Sequence, residues 1–199
     1  MNVLRKVQGD KNDLENSLSK LGVSQAENLR NELANVNFDI CHTSPIARAI
    51  ETTKILVKEK GIQVIENPML REKRQGSMIG LDVSTHVAKY RNWEDITEDE
   101  RLDYKLVSDE ESQRELRSRA IEVLTDIAVA NIDKTILVVT HGGFMRSVYT
   151  YLENKTFKEN RWRFDNCGYM RLDYDNSKFV ITETVRLRNI TRDEFFGLS

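Results

Sequence analysis

Apolar residues recur at helical spacing in four stretches of the chain, with short apolar runs between them. Val23, Ala26, Leu29 and Leu33 predict a first helix. Ser19 or Ser24 can cap it, and Ser24 with Glu27 fits a capping box. Phe38-Asp39-Ile40-Cys41 reads as a short buried strand. Ile46, Ala49, Ile50, Thr53 and Leu56 predict a second helix, which Gly61 ends, and Gln63-Val64-Ile65 a second short strand. The charged stretch 83–110 reads as an insertion of one or two surface helices over one end of the sheet, with Trp93 as an anchor. Leu116, Ala120, Val123, Leu124 and Ile127 predict the inward face of a long helix. Thr135–Thr140 is the strongest strand signal, and its continuous apolar run suits a strand covered on both faces. Phe144–Leu152 follows as a helix. Gly168–Tyr174 and Phe179–Val185 flank Asp175-Asn176-Ser177 as a hairpin. Strands alternating with helices predict an α/β fold of three layers: a mainly parallel sheet with helices on both faces.

Composition narrows the function classes. A chain of 199 residues suits a single domain, 1–199, with 39% hydrophobic and 31% charged residues. A net charge of −2 gives no electrostatic footprint for nucleic acid or an anionic membrane. No apolar run reaches the length of a bilayer span, and the N-terminus has no apolar core of a signal peptide. Cys41 and Cys167 lie far apart in strand-like runs and read as buried free thiols. Together these features point to the cytosol or another reducing compartment.

Ligands of parallel sheets sit outside the carboxyl ends of the strands. Three groups of residues fall there. In Thr43-Ser44-Pro45-Ile46-Ala47-Arg48, Ser44 suits an N-cap and Pro45 the first helical residue, which puts Arg48 in the first turn. A helix N-terminus with a guanidinium beside it suits a phosphate, and equally a plain capped helix with a surface arginine. In Thr140-His141-Gly142-Gly143, His141 stands where a buried strand becomes a helix, and the glycines let backbone approach a ligand. Its imidazole suits a phosphoryl oxygen or proton transfer, against the plainer alternative of a bond to a loop carbonyl. In Leu70-Arg71-Glu72-Lys73-Arg74-Gln75-Gly76, a carboxyl beside a bound phosphate is held back from ionising, which suits Glu72 as a general acid. Taken alone, that segment reads more readily as a solvated charge cluster. His42 and His86 receive no role.

These segments, in this order, resemble the histidine phosphatase (phosphoglycerate-mutase-like) superfamily. Leu18-Ser19-x-x-Gly22-x-x-Gln25-Ala26 matches the segment before its first helix, and Glu111-Ser112 with Arg119 its Gly-Glu-Ser…Arg segment, Glu110 replacing the glycine. Within the superfamily, Leu70–Gly76, Val139–Ser147 and the closing hairpin are most similar to TIGAR-type fructose-2,6-bisphosphatases. The resemblance implies a phosphomonoesterase acting on a small sugar or glycerate phosphate through a phosphohistidine, without metal or cofactor. His141 and Arg48 would hold the phosphoryl oxygens, Glu72 would protonate the leaving oxygen, and Asn2, Gln8, Gly9 and Gly142 would line the substrate.

One part of the family pattern is absent. Asn2 and Gln8-Gly9 match positions that follow an Arg-His-Gly segment in the family, and this sequence shows no such segment. The chain is therefore expected to lack the nucleophilic histidine, one phosphate arginine and the family's first strand. The resemblance places that strand between those ending at His42 and His141, and Met1–Val7 is too short and polar to replace it. The expectation is an inactive or nearly inactive chain, either an incomplete product or a degenerate paralogue. A non-catalytic phosphate-binding or regulatory protein is the alternative, and a mutase requiring 2,3-bisphosphoglycerate the third.

Overall fold

The structure, a computed structural model, describes residues 7–10, 17–82, 95–156, 161–191 and 194. Helix α1 spans Lys20–Glu32, and Ser19 caps it by accepting a hydrogen bond from the Gly22 N–H. Ser24 lies inside the helix, so the alternative capping box does not form. Of the predicted apolar stripe, Ala26 and Leu29 are buried and Val23 is exposed. Strand β1 (Ile40–Thr43) begins two residues later than Phe38, and all four of its residues are buried. Helix α2 (Ala47–Leu56) also starts later than expected. Ser44 Oγ accepts from Ile46 N–H at 3.3 Å ahead of the first turn, and Arg48 keeps its predicted place within that turn.

Strand β2 (Gln63–Glu66) pairs in parallel with β1, Ile40 opposite Gln63 through Thr43 opposite Glu66. Two single turns of tight helix follow, Pro68–Leu70 and Gly76–Met78. The first part of the expected insertion, with His86 and Trp93, lies outside the described residues. Its later part holds α3 (Glu98–Asp103), opened by a capping box between Thr97 and Glu100. A second capping box, between Ser112 and Glu115, opens α4 (Gln113–Ala130), against which α3 packs. Strand β3 (Ile136–Val139) and helix α5 (Gly142–Leu152) come next, then the hairpin of β4 (Trp162–Asp175) and β5 (Lys178–Asn189).

The parallel sheet runs β2-β1-β3, and β4-β5 is a separate antiparallel sheet. Apolar side chains cover both faces of the parallel sheet. Ile136 and Val138 pack with Leu70, with Leu116 and Leu124 of α4, and with Phe144 and Val148 of α5. Leu137 and Val139 pack with Cys41, with Leu29 of α1, and with Ala49 and Leu56 of α2. This is the expected α/β architecture, with one correction to its topology. The strands ending at His42 and His141 are direct neighbours, Ile40 opposite Ile136 through Thr43 opposite Val139, with no strand between them. Among the described residues the discontinuity falls elsewhere, between β3 and β4. Residues of the hairpin join both apolar clusters, Met170 and Leu172 on one side and Cys167 and Tyr169 on the other.

Candidate active site

The carboxyl ends of β1 and β3 lie side by side, so Ser44 and His141 meet. The ladder continues one step past β1, with Ser44 N–H donating to the Val139 carbonyl at 2.9 Å. His141 Nε2 then lies 2.7 Å from Ser44 Oγ, and both residues are buried. Thr140 Oγ1 donates to the Leu70 carbonyl at 2.8 Å and so ties the end of β3 to the turn that carries Glu72.

Glu72 is seated at the N-terminus of α5. Its carboxylate accepts from the N–H groups of Gly143 (3.0 Å), Phe144 (3.2 Å) and its own neighbour Lys73 (2.8 Å). Unpaired N–H groups and the helix dipole favour an anion there. A Cβ on Gly143 would come within 2.4 Å of Glu72 Oε1, so this seat requires glycine at position 143. Gly142, which the sequence singled out instead, is exposed and a Cβ there would meet nothing. Burial pushes the Glu72 pKa up, but His141, the backbone N–H donors and Arg48 outweigh it, and the net direction is down. The ligand-free carboxyl is therefore ionised at neutral pH. The upward shift expected of a general acid needs the second negative charge of a bound phosphate.

Burial lowers the pKa of His141 to about 4, with Glu72 opposing and Arg48, Arg119 and Arg71 reinforcing. The imidazole is neutral near pH 7. Arg48 is held from the other side of the site: its Nη2 donates to the Gly9 carbonyl at 3.0 Å. Its Nη1 is buried with no hydrogen-bond partner among the described residues. Burial also lowers the Arg48 pKa, while Glu72 and Asp10 raise it. Gly9 thus touches the site through its backbone; it has φ +50°, and a Cβ there would lie 2.6 Å from Gln75 Cγ. Gln8 is half-buried in the same segment, and Asn2 lies outside the described residues. No group of three or more metal-ligating side chains occurs among the described residues.

The surrounding scaffold is ionic. Arg119 grips Glu111 with two bonds of 2.8 Å and donates to the carbonyls of Met69 and Arg71. Lys73 and Glu110 form a buried pair at 2.5 Å. The structure therefore brings Arg48, Glu72 and His141 together and adds two residues that sequence reasoning missed. In the sequence Ser44 reads only as a cap, because its burial beside a second strand end is a tertiary fact. Gly143 had the right signal, adjacency to His141, but sequence offers no way to tell it from Gly142.

Relatives include a probable phosphoglycerate mutase, GpmB, of Proteus mirabilis (strain HI4320), 27% identical over 90% of this chain and 82% of its own. A metal-independent phosphoserine phosphatase of Arabidopsis thaliana is 27% identical over 74% of this chain and 62% of its own. Among solved structures, a phosphoserine phosphatase of Entamoeba histolytica in complex with 3-phosphoglyceric acid superposes with a TM-score of 0.76 at 21% identity, covering 96% of this chain and 91% of that one. No helix among the described residues is long and apolar enough to cross a membrane. The model of the histidine phosphatase superfamily (branch 1) matches residues 1–186, and the chain belongs to that family.

Proposed function

We propose that this chain binds small phosphomonoesters, with Arg48, Ser44 and His141 around the phosphoryl group and Glu72 on the side of the leaving oxygen. One observation carries the reading: the buried Nη1 of Arg48, without a hydrogen-bond partner among the described residues, beside a neutral histidine and an ionised carboxylate. A buried guanidinium nitrogen without a partner is costly unless an anion completes it. A phosphoryl dianion would accept from Arg48 and from the Ser44–His141 pair. Its charge would also raise the Glu72 pKa toward what proton donation to an alkoxide requires. The relatives' names, phosphoglycerate mutase and phosphoserine phosphatase, fit a small phosphorylated metabolite.

A phosphohistidine route needs an attacking ring opposite the leaving oxygen. His141 is bonded to Ser44, and His42, whose ring nitrogens have no hydrogen-bond partner among the described residues, is buried within β1, so neither described histidine stands open for that part. The proposal is accordingly a phosphate-binding and proton-transfer centre with turnover by 1–199 at background. The test is titration of 1–199 and its Arg48→Ala variant with inorganic phosphate, beside phosphate release from 3-phosphoglycerate and fructose 2,6-bisphosphate. Phosphate bound by the parent and lost in Arg48→Ala, with no release, is the expected result. Absence of phosphate binding would overturn the site. Release abolished by His141→Ala would overturn the inactivity and make His141, or a histidine acting with it, the working nucleophile.

The narrower fructose-2,6-bisphosphatase reading, carried in sequence by Leu70–Gly76 and Val139–Ser147, has one supporting observation. Arg71 and Arg74 line the pocket beside Glu72, where a second phosphate would lie.

A further inference from the structure

Glu111 and Arg119 close from α4 and its approach onto the turn that carries Glu72. Glu111 Oε2 accepts from the Arg74 N–H at 3.0 Å, and the Glu111 N–H donates to the Arg74 carbonyl at 2.9 Å. Arg119 holds the other side of the same turn, with Nη1 2.5 Å from the Met69 carbonyl oxygen and 3.0 Å from that of Arg71. Glu72 lies between the two holds. Thr140 Oγ1 takes the Leu70 carbonyl, so the successive carbonyls of Met69, Leu70 and Arg71 are each bonded to a side chain. The two holds are joined by the Arg119–Glu111 fork, two bonds of 2.8 Å to different carboxylate oxygens. Both side chains are largely buried, 16% and 7% exposed, so solvent screens the pair little. The Arg119 guanidinium also stands 5.9 Å from the centre of the Phe144 ring, and the Phe144 N–H is one of the donors that seat Glu72. An arginine near a phosphate site can instead serve the ligand. Here most of the Arg119 N–H groups are spent on protein acceptors, unlike Arg48, whose buried Nη1 has no hydrogen-bond partner among the described residues.

We propose that Arg119 and Glu111 are positioning residues, a clamp that holds the 69–74 turn so that the Glu72 carboxylate stays on the N–H groups at the start of α5, on the side of the leaving oxygen. Geometry rather than charge does this. A lysine at 119 keeps the charge but cannot span Glu111 and two carbonyls at once. Without the clamp, Glu72 loses N–H donors that favour its charged form, while burial still favours the neutral form. It then binds its proton more tightly in the ligand-free chain, and a phosphate acts on a carboxyl displaced from its seat. The role given to Glu72 rests on the phosphate site proposed above, whereas the clamp is readable without ligand.

The test is a carbon-13 NMR pH titration of the Glu72 carboxyl carbon in the full 1–199 chain, assigned by its loss in Glu72→Gln, and repeated in Arg119→Lys and Glu111→Gln. Both substitutions are close in size to the residues they replace, so the fold can be kept while the clamp is opened. Glu100, whose carboxylate closes the Thr97 capping box outside the clamp, is read in the same spectra as a control. Each variant is expected to raise the proton affinity of Glu72 about tenfold, the size of one charge-assisted hydrogen bond, and to leave Glu100 in place. Arg119→Lys changes no charge, and removing the Glu111 charge would by itself lower the proton affinity of Glu72, so a rise in both reports displacement from the seat. Glu72 titrating alike in all three proteins would overturn the inference, because the turn would then be held without the clamp. A fall in Glu111→Gln with no change in Arg119→Lys would overturn it in favour of simple charge effects. A shift shared by Glu100 would mark general loosening and overturn it as well. Inorganic phosphate is then added, and it should raise the proton affinity of Glu72 in the parent and by less in the variants. No phosphate effect in the parent would overturn the phosphate site and leave the clamp standing.

Discussion

At the scale of single residues, the site is built from groups whose ionisation the fold has set. His141 is the clearest. Its folded pKa of about 4 lies below the ordinary 6.5, with burial as the leading cause. Between those values the unfolded chain takes up a proton that the folded chain excludes, so acidification favours unfolding. The stability that neutral His141 protects is complete above about pH 6.5 and falls as pH drops toward 4. Glu72 acts in the same sense but lower on the pH scale: its folded pKa is lowered from 4.5, so its contribution fades only in more acidic solution. Denaturant titrations at about pH 7.5 and about pH 5 should therefore isolate the histidine, with a loss of about 2 kcal/mol from this group. His141→Gln should lose less on acidification by about that amount. Equal losses in parent and variant would show that His141 is not held neutral by burial. His42, also buried and also shifted down by burial, remains in both proteins and serves as an internal constant.

At the scale of elements, the turns between β2 and α4 are anchored by buried apolar residues, Leu70, Met78 and Leu102, and locked in addition by ion pairs. Lys73 and Glu110 are both almost fully buried, and Glu110 Oε2 also accepts from the Leu106 N–H at 2.6 Å. Burial pulls the Lys73 pKa down and Glu110 opposes it. Truncating one partner strands a charge, which typically costs about 3–5 kcal/mol, while replacing both with apolar residues of similar size costs far less. Glu110→Ala should accordingly destabilise the chain more than the Lys73→Met, Glu110→Leu double variant, as read by urea unfolding. The reverse order would mean that the pair is solvated. This lock was invisible in the sequence, where Lys73 sat in an apparent charge cluster and Glu110 seemed only a substitute for glycine. Elements defined by apolar period were legible: the long helix α4 buries Leu116, Ala120, Val123, Leu124 and Ile127 as its spacing required. Elements defined by the site were displaced. Strand β1 runs through His42 and Thr43, polar residues buried by their neighbours across the sheet and by a Thr53–Thr43 hydroxyl bond of 2.8 Å. The hairpin is longer at both ends than its apolar cores suggested. Its register breaks between Phe164 and Tyr169, where Cys167 takes φ +58°, and an alternation template stops at such a bulge. The strand-end rule found Arg48, Glu72 and His141 because it depends on topology, and Ser44 escaped because its role depends on which strands are neighbours.

At the scale of the molecule, the sheet boundary between β3 and β4 makes a prediction about the backbone itself. The carbonyls of Thr135 and Val139 accept from Asp39 and Ser44, so residues 135, 137 and 139 turn their peptide groups toward β1. Strand alternation then turns those of Ile136 and Val138 the other way, toward the boundary. Ile136, Leu137 and Val138 are only half-buried, unlike β1, whose residues are all buried between two neighbours. Among the described residues no strand pairs with that side of β3; an edge of this kind leaves alternate N–H groups without a ladder partner, and such amides exchange with solvent through local rather than global opening. Amide hydrogen exchange resolved by residue should find Leu137 and Val139 protected and Ile136 and Val138 faster by orders of magnitude. Uniform protection along β3 would mean that another strand covers this edge in solution. Binding would then be informative as well, because the edge strand ends at His141. A phosphate held by Arg48 and the Ser44–His141 pair stiffens the carboxyl end of β3, so protection gained on titration with phosphate should be largest at Val139 and weakest at Ile136.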